Sequence, residues 1–196
     1  KDKDSSENGI SPLKNRVYII YILGLFLMAM AFLQFFTTVP LYFKEVHGMN
    51  EFEVGIFMTL NGLLIVLAEM PLVHYFEAKK TNRYAIIALS TLMIGACFVF
   101  FNVGYSIVFL VLSVVLVSFG EMLGFPFSNT LAIELSSPKR LGAYMGLYSM
   151  AFSMAHLFSP KLGFYIIAHY GYNWNWWVLA VFSMVSAGLI YGIKKT

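Results

Sequence analysis

Charge is scarce in this chain. Of its 196 residues, 12% are Asp, Glu, Lys or Arg, against about 25% in an ordinary soluble domain. That shortage excludes a soluble fold carrying one greasy helix. Cysteine is scarcer still. A single Cys97 excludes an intramolecular disulfide, and a buried lone thiol behaves as a small hydrophobe. No P-loop, Gly-x-Gly-x-x-Gly, His-Glu-x-x-His or Cys pair occurs, so nucleotide-binding and metal signatures are missing. An intramembrane serine protease needs a Ser nucleophile in a glycine-flanked motif with a His base, and no Gly-x-Ser-Gly is present. The expectation is a protein that is not an enzyme, with no metal, no cofactor and no nucleic-acid partner.

What is abundant is apolar length. Hydrophobic residues make up 59% of the chain. They gather in six runs, at 17–43, 54–76, 84–101, 106–127, 143–169 and 174–193. A bilayer core of about 30 Å needs about 20 mostly apolar residues per helix, and lipid demands that backbone polar groups pair internally. The expected fold is therefore an all-α integral membrane bundle of six spans filling 17–195, preceded by a polar linker at 1–16. Those first residues are polar and charged and read as no secretory signal. The chain also starts with Lys, which suggests processing or excision from something longer.

The few charges are placed unevenly. Lys14 and Arg16 precede span 1, Lys79, Lys80 and Arg83 follow span 2, Lys139 and Arg140 follow span 4, and Lys194 and Lys195 follow span 6. The alternate connections carry Lys44, Glu45, Glu51 and Glu53, then no charge. Excess Lys and Arg marks cytoplasmic loops, so both termini are expected in the cytoplasm of a multi-pass cell-membrane protein. Trp174, Trp176 and Trp177 at the start of span 6 fit an interfacial aromatic belt.

An internal repeat runs through the spans. Span 2 opens Gly55-Ile56-Phe57-Met58 and has Pro71 near its end; span 5 opens Gly142-Ala143-Tyr144-Met145 and has Pro160 near its end. Gln34 precedes Pro40 in span 1 as Glu121 precedes Pro126 in span 4. Three spans per unit is odd, so the second triplet crosses in the opposite sense. Inverted triplets with midplane sites are a transporter signature.

Glu69 in span 2 and Glu121 in span 4 are the intramembrane acids. Each lies about four residues past the span centre, roughly 6 Å towards the cytoplasm, so the two are expected at one depth. A charge there costs about 2.5–3.5 kcal/mol on insertion scales and marks function by default. A carboxyl that takes and releases a proton as access alternates is what a proton-coupled carrier needs. Ser118, Glu121, Phe125 and Ser128 form one stripe on span 4. Tyr144, Tyr148, Phe152 and His156 recur every four residues on span 5. Gln34, Asn61, Ser118, Phe125, Tyr148, Phe152 and His156 are the candidate cavity residues, and Lys161, about 7 Å from His156 by helical rise, is a candidate charge partner.

These residues resemble the C-terminal half, spans seven to twelve, of a major facilitator superfamily transporter. Gly120-Glu121-Met122-Leu123-Gly124-Phe125-Pro126 is similar to the tenth span of drug:proton antiporter-like members. Pro138-Lys139-Arg140-Leu141-Gly142-Ala143-Tyr144-Met145-Gly146-Leu147 resembles their loop into span eleven, with Leu141 inserted between Arg140 and Gly142. Gly55 to Pro71, with Asn61 between, looks like their span eight, and Glu77-Ala78-Lys79-Lys80-Thr81-Asn82-Arg83 echoes the superfamily's basic loop. The resemblance implies that spans 1 and 4 line a cavity, spans 2 and 5 gate it, and spans 3 and 6 are peripheral. It also implies an N-terminal six-span half as partner, with substrate between the halves. The function expected is proton-coupled export of small organic molecules. A proton symporter for a polar nutrient, a homodimer of true six-span units and a non-transporting scaffold are the competing expectations.

Overall fold

The structure is a computed structural model and describes residues 10–193. Residues 1–9 of the expected linker, and Lys194 and Lys195, lie outside the described residues. Six long helices follow one another: α1 (Arg16–Glu45), α2 (Glu51–Ala78), α3 (Arg83–Val103), α4 (Ile107–Glu134), α5 (Leu141–Tyr170) and α6 (Tyr172–Ile193). Short 3-10 turns, Pro12–Lys14 and Pro138–Arg140, precede α1 and α5. The protein is thus a membrane-embedded, multi-pass helical bundle.

Each apolar run became a helix because lipid leaves its backbone groups no partners but one another, and four of the helices carry a proline, Pro40, Pro71, Pro126 or Pro160, without ending there. The helices outrun the apolar stretches, α4 by seven residues to Glu134, because polarity ends a membrane run before it ends a helix. Side chains set several starts. Asn15 Oδ1 accepts the Tyr18 N–H at 3.1 Å. Asn50 and Glu53 cap reciprocally, at 3.0 and 2.9 Å, satisfying two orphan donors of α2. Gly171, at φ +84°, makes the tight turn between α5 and α6, a conformation open to glycine.

Five of the six helices are long and apolar enough to cross a membrane by length and composition. The sixth, α5, is 30 residues long but is diluted by Ser149, Ser153, His156, Ser159 and Lys161. Its two sides differ, with Ala151, Ala155, Ser159 and Gly163 buried against the bundle.

The packing carries the repeat. Helix α1 packs on α5 and α6; helix α4 packs on α2 and α3; and α3 lies along α6. Exchanging the first three helices for the last three maps these contacts onto themselves, as two inverted three-helix units require. Small residues bring the backbones close, as membrane helices do. Gly95 faces Ser183, Gly120 faces Ser90 and Ile94, and Ser186 Oγ donates to Gly24 O at 2.6 Å. Cys97 is fully buried in α3, as a small hydrophobe should be. Part of the expected linker is folded onto the bundle: Pro12 is buried, and the Tyr144 hydroxyl donates to Ile10 O at 3.2 Å.

The carboxylate site between α2 and α4

Helix α2 is attached mainly through α4, and its buried residues are Phe57 and Asn61. Asn61 is 3% exposed. Its amide donates to Ser118 Oγ at 2.9 Å and to Glu121 Oε2 at 3.3 Å. Ser118 is fully buried, and its hydroxyl donates to Val114 O at 2.7 Å. Asn61 therefore fixes both the seam between the helices and the position of the half-buried Glu121. An amide N–H suits this task, because a carboxyl oxygen accepts from it whether or not the acid is protonated.

Glu69 is half-buried on the same helix as Asn61 and lies within electrostatic reach of Glu121. The expected common depth needs correction. Asn61 is level with the Ser118–Glu121 turn, and Glu69 follows it by eight residues, about 12 Å of helical rise. The two acids sit at successive levels, Glu69 nearer the end that carries the chain termini.

One turn beyond Glu121, the α4 stripe passes from α2 to the aromatic side chains of α1 and α5. The Phe125 ring meets Phe32 at 4.7 Å and Phe152 at 5.6 Å, and Phe152 meets Tyr148 at 5.2 Å. Tyr148 and Ser128 share a hydrogen bond of 3.0 Å, and the Tyr21 hydroxyl donates to Ser128 O at 2.6 Å. Edge-on and tilted pairs of this kind add about 0.5–1.5 kcal/mol each.

Other expected residues are elsewhere. Gln34 is fully buried between α1, α5 and α6. Its Nε2 donates to Ser159 O at 2.7 Å, while its Oε1 accepts from Thr38 at 2.7 Å and Asn175 at 3.2 Å. It clamps helices and does not line an open face. His156 is exposed, and no hydrogen bond or ion pair joins it to Glu69 or Glu121 among the described residues. Lys161 is likewise exposed and borders a surface cavity with Met30, Phe158, Leu162 and Tyr165. The α5 stripe of Ala151, Ala155, Ser159 and Gly163 is buried against the bundle; His156, one turn beyond Phe152, and Lys161 lie off that stripe and stay exposed. Among the described residues, no three His, Cys, Asp or Glu side chains gather as a metal site.

The chain matches the Major Facilitator Superfamily over residues 2–159 and, in an overlapping match, 83–195. It belongs to that superfamily. Among curated proteins it is 23% identical over 175 residues to "Uncharacterized MFS-type transporter YqjV" of Bacillus subtilis (strain 168), covering 88% of this chain and 42% of the relative. It is 29% identical over 158 residues to "Uncharacterized MFS-type transporter YttB" of the same organism, covering 77% and 37%. A "Na(+), Li(+), K(+)/H(+) antiporter" of Planococcus maritimus is 21% identical over 193 residues, covering 91% and 45%. The chain thus spans about two-fifths of the length of the curated relatives it matches. No solved structure matches it.

In this superfamily member the residues that sequence reasoning missed are partners of those it named. Thr38, Ser159 and Asn175 complete the Gln34 clamp, and Phe32 and Tyr21 complete the aromatic wall. Ser128 was legible from its place on the α4 stripe. Phe32, one of 19 phenylalanines, had no distinguishing signal.

Proposed function

We propose that this chain is the C-terminal six-span half of a proton-coupled secondary transporter of small organic molecules, drug:proton antiporter-like and exporting, working by alternating access. The observation that carries the reading is Asn61 donating to half-buried Glu121 inside the membrane-embedded α2–α4 seam. An acid kept there at a cost of about 2.5–3.5 kcal/mol, and held by a donor that tolerates both protonation states, suits a proton carrier. Glu69 at the next level gives the proton a second station. The aromatic wall of Phe32, Phe125, Tyr148 and Phe152 suits an apolar or amphipathic substrate.

The partner in this reading is an N-terminal six-span half. It is supported by the chain's share of its relatives' length and by the broad exposed faces of α2 and α5. The placement of Lys and Arg supports a cell-membrane location with both termini cytoplasmic.

The test is transport by the full-length protein in proteoliposomes under an imposed pH gradient, with ethidium as substrate. Glu121→Gln keeps an acceptor for Asn61, so it should fold normally yet lose gradient-driven flux by a factor of ten or more, about 1.4 kcal/mol. Full gradient-driven flux in both Glu121→Gln and Glu69→Gln sinks the proposal. The name of the Planococcus relative favours a second reading, exchange of an inorganic monovalent cation for protons. Proton efflux triggered by Na+ or K+ but not by ethidium would select it.

A further inference from the structure

At the end of the bundle opposite the chain termini, the connections at 46–50, 104–106 and 171 come together over the ends of α1, α3 and α6. They border an open surface cavity of about 380 Å³. Its lining includes Tyr42, Val46, Tyr105, Tyr170, Tyr172 and Trp174. The rings converge on Tyr42. Tyr172 lies 5.2 Å and His47 5.0 Å from it, and Tyr105 lies 5.9 Å from His47.

A carboxylate is bonded to one of the lining rings. The Tyr172 hydroxyl donates to Glu45 Oε2 at 2.7 Å. Lys44 is engaged by Glu51 at 2.5 Å, and Glu53 is used in the α2 cap, so Glu45 has no cationic partner among the described residues. The helix ends that flank the first connection carry three acids, Glu45, Glu51 and Glu53, against one base, Lys44. His47 does not offset this, because burial holds it below its ordinary value of 6.5 and so neutral at physiological pH.

Unpaired polar atoms gather at the same end. Among the described residues the buried side-chain atoms without a hydrogen bond are His47 Nε2, Asn102 Oδ1, Asn175 Oδ1 and Trp176 Nε1. His47 and Trp176 border Tyr42, and Asn102 donates to the backbone of Asn173 in the cavity wall. These four side chains lie in the packing behind the cavity and are not among its lining residues. Interfacial anchoring explains an exposed Tyr or Trp taken singly. It does not explain why the rings close around Tyr42, itself 1% exposed, or why one of them holds a carboxylate.

We propose that this distal aromatic cavity binds an organic ammonium group, separately from the α2–α4 carboxylate site. Ring faces attract cations, by about 0.5–2 kcal/mol each according to desolvation, and Glu45 supplies the opposite charge. The ammonium belongs either to a soluble amine or to a choline lipid headgroup, which share this chemistry.

The probe is choline, titrated into the full-length protein in maltoside micelles free of choline lipids, with the thermal denaturation midpoint as readout. Its uncharged carbon analogue, 3,3-dimethylbutan-1-ol, is the control. Choline should raise the midpoint saturably and the alcohol should not. Tyr105→Leu and Glu45→Gln alter exposed side chains and should fold, while weakening the response by about tenfold. Loss of the response in phosphatidylcholine nanodiscs but not in phosphatidylglycerol ones assigns the site to a headgroup; a response in both assigns it to a soluble amine. No saturable effect of choline in micelles, an equal effect of the alcohol, or an undiminished effect in both variants overturns the proposal. Glu121→Gln should respond as the wild type does, so the outcome is independent of proton coupling.

Discussion

Gly163 and Gln34 should show a reversal of sign. A Cβ at Gly163 would fall against Oε1, Nε2 and Cδ of Gln34, the last at 2.6 Å. The carboxamide cannot easily move, because Ser159, Thr38 and Asn175 hold it on both sides. Gly163→Ala should therefore destabilise the bundle by about 1–3 kcal/mol through overpacking, despite the better helix propensity of alanine. Gln34→Ala alone removes three buried hydrogen bonds. At about 0.6–1.7 kcal/mol each inside a membrane, that costs about 2–5 kcal/mol. In that background the space beside Gly163 is free. Gly163→Ala should then stabilise by up to about 1 kcal/mol. The coupling between the two changes is about 1–4 kcal/mol, within or just above the range that contacting residues show. The four proteins of this cycle can be compared by thermal denaturation in maltoside micelles. Equal destabilisation by Gly163→Ala in both backgrounds would refute the reasoning.

Two further outcomes are expected. Gly120→Ala places a Cβ at 2.9 Å from the backbone oxygen of Ser90, which cannot yield, and should cost about 1–3 kcal/mol. Gly146→Ala meets nothing within 4 Å and should be neutral or stabilising by up to about 1 kcal/mol; similar midpoints for the two would contradict the packing argument. His47 has its folded value lowered by burial, so the unfolded chain takes up this proton first as pH falls. The stability it contributes is complete above its ordinary value of 6.5 and is lost as pH falls through the lowered folded value. His47→Gln should flatten the fall in denaturation midpoint over the acid side of neutrality, and an unchanged slope would dismiss this role.

Much was legible in the residues alone. Six apolar runs, short connections and an uneven placement of Lys and Arg suffice for six membrane helices, because a bilayer constrains length and polarity so strongly. The paired prolines and opening glycines announced two related triplets, and the contacts of α1 with α5 and of α4 with α2 repeat that relation in space. Intramembrane Glu69 and Glu121 stood out because a carboxyl in lipid is costly wherever it points.

Only the tertiary structure decided which polar groups meet. A helix that is apolar all round has no contrast between its faces, so its pattern does not disclose its rotation. That is why Asn61 and Gln34 look alike as sequence, yet one holds Glu121 and the other seals three helices together. It is also why His156, read as a cavity residue, and Lys161, read as a charge partner, are exposed side chains with no hydrogen bond or ion pair to either acid among the described residues. The distal cavity is likewise a product of assembly. Its rings come from the ends of several helices, far apart in the chain, and they meet only because α1, α3 and α6 end side by side.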